Sequence, residues 1–232
     1  FFGYSHYHHP LKTLKSGIRK HAIDRVKNLE AELIAFEKGY SNSRTAFLEA
    51  LGSLIHFAQD VASPTHVTPI THGVFDSFEQ FDHHGEIESN EDCDDFYFWS
   101  DNGLDGEFIF TITSMFTLGR IRHEKFEATL KKGPAIGIEL SQLSWTNFWQ
   151  ESNNNDFGDY GVFGNAFGNT CLVAGDSEYE VDVNIYNEFK KTQMRLAANA
   201  TKQLLYRFVL TDRFLKLKKA VLVSSKSRER AS

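Results

Sequence analysis

The stretch IHFAQDVASPTHVTPITHGVFD, residues 55–76, gathers His56, Asp60, His66, His72 and Asp76 into a few turns' length of chain. His56 and Asp60 are four residues apart, so on a helix they project from one face about one turn from each other. His72 and Asp76 repeat that spacing, and His66 stands between the two pairs, two residues after Pro64. Imidazole nitrogens and carboxylate oxygens suit zinc at bond lengths of roughly 2.0–2.2 Å. Five such groups exceed the four that close a tetrahedral site, which points to at least two metals with open positions for water and substrate. A structural zinc site more often recruits cysteine, and neither Cys93 nor Cys171 lies in the stretch. Taken singly, each residue reads as a core histidine, a helix-end carboxylate or an exposed pair. Their coincidence around Pro64 and His66 is what carries the metal reading.

The elements that must position these groups are helical. From residue 11 to about 40, Ile18, Ala22, Val26, Leu29, Leu33 and Phe36 recur at steps of three and four, one apolar stripe on an otherwise Lys- and Glu-rich helix. GYSNS breaks it, and Ser41 or Ser43 can cap a second helix to about Ala62 with a stripe of Phe47, Leu48, Leu51, Leu54, Ile55 and Ala58. Pro64 is expected to end that helix and His66 to sit on a loop turning back toward it. A shorter helix near Thr71 carries HGVFDSFEQF, followed by the solvated acidic run DHHGEIESNEDCDD. One or two helices are expected from about Gly106 to Leu130, a long ring-packed loop over 152–171, and a core helix from about Asp182 to Lys219. Together these predict an all-α single domain over 1–220 with a frayed polar tail over 221–232.

Composition bounds the rest. At 232 residues the chain is long enough for one sizeable core. Apolar and charged fractions of 41% and 24% are those of a globular protein, and no apolar run approaches the ~20 residues that span a bilayer. The formal charge of -6 offers no global field for nucleic acid. Bound dications would offset that charge locally, so a nuclease stays open. The two cysteines either pair or stay reduced.

The pattern His56-x-x-x-Asp60-x-x-x-Pro64-x-His66 resembles the signature of the zinc-dependent phospholipase C family of bacteria, an all-helical fold shared with fungal single-strand-specific nucleases. HGVFDSFEQF resembles that family's second motif, a His followed four residues later by Glu or Asp, which implies metal roles for His72 and Asp76. Glu79 competes with Asp76, because His72 follows His66 more closely than is usual in the best-known members. SHYHHP resembles a family segment that supplies a further ligand; that implies His6, with His8 and His9 as neighbours or substitutes. The resemblance covers residues 1 to about 80 well and the final helix loosely, and leaves the middle of the chain unaligned.

The resemblance implies one zinc on His6, His56 and Asp60, a second on His66, His72 and Asp76, and Asp60 as a bridging carboxylate. It implies phosphodiester hydrolysis by a metal-activated hydroxide, with a phospholipid such as phosphatidylcholine as substrate. It also implies a secreted or periplasmic location and peripheral contact with a membrane surface. Family members build a third metal position partly from the mature amino end and a His and an acidic residue ahead of the Ser-His segment. Those groups, and the general base, are therefore expected ahead of Phe1. The rings of DFYFWS and FGDYGVFGNAF come without neighbouring Lys or Arg, which favours a lipid or small phosphodiester over a single-stranded nucleic acid. Outside the enzymes, the alternative is a zinc-stabilised binding module without turnover.

Overall fold

The computed structural model describes residues 7–14, 22–70, 105–134, 143–158, 171–174 and 177–209. Helix α1, Ala22–Glu37, buries Ala22, Val26, Leu29, Leu33 and Phe36, the stripe read from the sequence. Residues 11–14, expected in this helix, are instead turn and coil. Helix α2, Arg44–Asp60, starts where Ser43 Oγ accepts a hydrogen bond from the Ala46 N–H at 3.2 Å. Its buried face is Phe47, Ala50, Leu51, Leu54, Phe57 and Ala58; Leu48, expected there, is exposed.

Pro64 does not end α2, which stops at Asp60, but opens a one-turn helix α3, Pro64–Val67. Proline is at ease at the first helical position, where its missing N–H has no partner to lose. His66 therefore sits on a buried helical turn rather than on a loop.

Helix α4, Gly106–His123, begins where the sequence placed it. Asp105 caps it, and the buried Glu30 carboxylate of α1 reaches across to its first two amides, accepting from Gly106 N at 2.8 Å and Glu107 N at 3.1 Å. An anion there meets both unpaired N–H groups and the positive end of the helix dipole. A Cβ on Gly106 would come within 2.8 Å of Leu54 Cδ2 on α2, so a larger residue there would require that side chain to shift.

The chain departs from helix after His123. Strands β1 (Lys125–Phe126) and β2 (Ala128–Lys132) follow, where helix was expected to continue to Leu130. β1 pairs with β3 (Leu143–Ser144), while β4 (Cys171–Ala174) and β5 (Ser177–Val181) complete an antiparallel sheet in the order β2-β5-β4. β5 alternates in the strand period, Ser177, Tyr179 and Val181 buried, with Glu178 and Glu180 on the outer face pairing with Lys132 and Lys131. The fold is thus mostly helical with a small two-sheet component, which corrects the all-α expectation.

Helix α5, Val183–Val209, packs on α2 and α4, and α1 packs on α2 and α4. The expected continuation of α5 to Lys219 and the tail over 221–232 lie outside the described residues. A ring cluster of Phe126, Trp145, Phe148, Trp149, Tyr186 and Phe189 fills the space between the strands and α5. Among the described residues no helix is long and apolar enough to cross a membrane.

Candidate metal centre

His56 and Asp60 lie in the last turn and a half of α2 with His56 Nε2 3.5 Å from Asp60 Oδ2. That is longer than a good N–H···O hydrogen bond, about 2.7–3.2 Å. It matches the separation of two atoms held tetrahedrally by one zinc at about 2.0–2.2 Å, which is about 3.3–3.6 Å. The pair is half-open: the His56 side chain is 55% exposed and Asp60 14%. The last turn of α2 contains no basic residue, so the negative end of the helix dipole and the Asp60 charge add at this end of the helix.

His66 follows on α3, its backbone N–H bonded to Ser63 O at 3.2 Å and its ring 8% exposed. The ring stacks on Tyr7 at 5.4 Å between centroids, and Phe157 meets the other ring edge-on at 5.1 Å. The N-terminal segment is joined to this turn by the His8 N–H, which donates to the His66 carbonyl at 2.8 Å. Gly158 holds it from the other side, donating to Pro69 O at 2.7 Å. A Cβ on Gly158 would run into the Gln150 carbonyl oxygen, so only glycine lets the two strands of chain approach there.

Two substitutes for His6 are thereby distinguished. His9 Nδ1 lies 3.1 Å from the Leu11 N–H, which donates to it, and His9 Nε2 lies 3.0 Å from Glu151 Oε2. Both nitrogens are engaged, leaving no lone pair for a metal. His8 packs against Phe110, and its buried Nε2 has no hydrogen-bond partner among the described residues. Burial, and then the neighbouring His9, push this imidazole down to about 4, so it is neutral at physiological pH.

No protein-family model matches the chain, and neither a curated protein nor a solved structure does. His6, His72, Asp76 and Glu79 lie outside the described residues, as does Cys93. Among the described residues no three His, Cys, Asp or Glu side chains converge. The structure brings His56 and Asp60 together at a spacing that fits two ligands of one zinc, while His66, on the next helical turn, does not converge with them.

Sequence reasoning missed the groups that hold these residues in place. Glu151 accepts from His9, from Arg122 Nε at 2.7 Å and Nη2 at 2.9 Å, and pairs with Lys12 Nζ at 2.6 Å. It anchors residues 7–14 to the end of α4. Burial alone would raise the Glu151 carboxyl, but the hydrogen bonds from His9, Arg122 and Lys12 outweigh it and hold the group well below the ordinary carboxylate range. A carboxyl depressed on folding contributes stability that is complete above the unfolded value, about 4.3, and is lost as pH falls through the lower folded one. Glu151→Gln is therefore expected to lose about 2–3 kcal/mol in urea denaturation at pH 7. The gap to wild type should narrow below about pH 4. A gap that stays constant down to pH 3 would show that the carboxylate charge contributes nothing.

Proposed function

We propose that the chain is a zinc-dependent phosphodiester hydrolase acting on a phospholipid, in the manner of the bacterial phospholipase C enzymes whose signature it resembles. The observation that carries the reading is the His56–Asp60 pair, set at the bite distance of a zinc chelate at the negative end of α2 with His66 on the next turn. The roles are those the resemblance implies: His56 and Asp60 would hold one metal with His6, and His66 a second with His72 and Asp76, Asp60 being the carboxylate placed to serve both. Tyr7 limits rotation of the His66 ring and keeps water off one of its faces. Bound zinc supplies Lewis-acid polarisation of the phosphoryl group and acidifies water to a pKa near ~7.

Lipid is favoured over polynucleotide by charge. The basic groups packed against the N-terminal segment, Lys12 and Arg122, are both held by the one Glu151 carboxylate, which leaves them less available to a string of backbone phosphates.

Elemental analysis of protein purified without chelator, beside a His56→Ala/His72→Ala double variant, tests the reading. Two or more zincs per chain are expected, lost in the variant, with hydrolysis of phosphatidylcholine abolished by chelation. Activity that survives chelation, or no stoichiometric metal in the wild type, removes it.

A further inference from the structure

We infer that Thr117 and Gln193 are positioning residues of the metal centre, fixing the separation of Asp60 from His66 through the carbonyls of the turn between them. The inference rests on the zinc reading above. α2 stops at Asp60, and the carbonyls of the turn that follows lie outside its intrahelical hydrogen-bond ladder. Side chains of two other helices hold them. Thr117 Oγ1, fully buried on α4, lies 2.8 Å from Val61 O, and Gln193 Nε2, on α5, donates to Ala62 O at 2.8 Å. Val61 and Ala62 are themselves buried.

The orientation of both donors is determined. The Thr117 hydroxyl has one proton to give, and Val61 O at 2.8 Å is a closer acceptor than Thr113 O at 3.1 Å. The Gln193 amide is oriented because its Oε1 accepts from Arg120 Nη1 at 3.1 Å, which turns Nε2 toward Ala62. Arg120 is in turn locked by Glu124 at 2.8 Å and by its place over the Phe189 ring at 4.5 Å. Two helices remote in sequence thus hold two consecutive carbonyls, one each. One such bond leaves the turn free to pivot, and two from different directions do not. The turn they hold is the link between Asp60, assigned to the first zinc, and His66, assigned to the second. Its backbone closes with Ser63 N–H on Asp60 O at 2.8 Å, so a shift of the turn is passed to both ligands. Groups that orient metal ligands typically change affinity by about 10–100-fold when removed.

The test uses Thr117→Val and Gln193→Met, singly and together, since each keeps side-chain shape and deletes the hydrogen bond. Thr117→Ser is the conservative rescue. Glu30→Ala, which removes the cap at the opposite end of α4, serves as a control for lowered stability. The readouts are zinc affinity by chelator competition, the visible spectrum of the cobalt-substituted protein, and Tm of the metal-free protein. The expected result is a loss of about 10–100-fold in affinity for the second metal and an altered cobalt spectrum in the Val and Met variants. Thr117→Ser should be restored to wild type, and Glu30→Ala should lose Tm with wild-type affinity. If Thr117→Val and Gln193→Met lower Tm while affinity and spectrum stay those of the wild type, the clasp is structural only and the inference fails. If Glu30→Ala weakens zinc as much as they do, it fails as well. A wild-type protein that binds no metal overturns the zinc reading itself, a result the variant series does not mimic.

Discussion

Asp60→Asn is expected to abolish the second zinc and lower phosphodiester hydrolysis by more than about 100-fold, since even residues that only support a ligand cost up to that much. The same substitution should leave the metal-free protein within about 1 kcal/mol of wild type. The two effects diverge for physical reasons. Asparagine keeps the size of aspartate and one oxygen but loses the charge and the second ligating oxygen, which a bridging role needs. For the fold, the contact with His56 is half exposed, and such pairs are worth about 0–1 kcal/mol. The end of α2 also presents its own carbonyl dipoles to Asp60, so neutralising the carboxylate relieves a repulsion worth about 0.3–1 kcal/mol. Zinc content, turnover of phosphatidylcholine and urea denaturation of the chelated protein check the three parts. A stability loss of several kcal/mol with zinc retained would make Asp60 a structural carboxylate and sink the assignment.

Trp145→Ala should cost about 3–5 kcal/mol, the range for truncating a buried tryptophan. Natural domains hold only about 5–15 kcal/mol in total, so the variant should be near its folding limit at room temperature. Trp145 is fully buried and sits in contact with Phe126 at 4.3 Å and Phe189 at 4.4 Å, with Phe148, Trp149 and Tyr186 within 5.3–6.1 Å. Those rings come from β1, the 3₁₀ turn Trp145–Asn147 and its exit, and α5, so no single element can move in to fill the void. Trp145→Phe should cost less than Trp145→Ala by more than its size suggests, because Trp145 Nε1 is buried without a hydrogen-bond partner among the described residues. Urea midpoints of the two variants measure this. An alanine variant within about 1 kcal/mol of wild type would mean that the cluster collapses freely and is not a rigid wall.

The helices were legible where one stripe decided them. Val26, Leu29, Leu33 and Phe36 on α1, and Phe47, Leu51, Leu54 and Ala58 on α2, are buried as their spacing required. The error on α2 was rotational: Leu48 and Ile55 flank the true face on one side, and Ala50 and Phe57 belong to it on the other. Apolarity alone could not choose between flanks, since the choice depends on where α1 and α5 lie. The strands were missed because β1 and β3 are two residues long, too short for any period to register, and β2, Ala128–Lys132, has a single β-favouring residue, Thr129, among Ala, Leu and Lys, which favour helix. β5 did carry a signal, the alternation of Glu with Ser, Tyr and Val. Of the candidate ligands, the His56–Asp60 juxtaposition follows from helical spacing and was readable. The groups that hold it were not: Thr117 is 56 residues from the carbonyl it binds and Gln193 is 131 from its own, and nothing local marks a mid-helix Thr or Gln as a partner of a distant helix end.

The tie between His9 and Glu151 spans 142 positions of the chain. During synthesis residues 7–14 therefore cannot make this tie until Glu151 has left the ribosome, while α1 and α2 are already complete and able to pair. Contacts of such long sequence separation form late. Residues 7–14 should be late to dock, pressing Tyr7 onto His66 only when the interior is built. Zinc capture on these residues would then seal a finished fold instead of nucleating one, and a nascent chain halted before Glu151 should leave its amino-terminal segment open to protease.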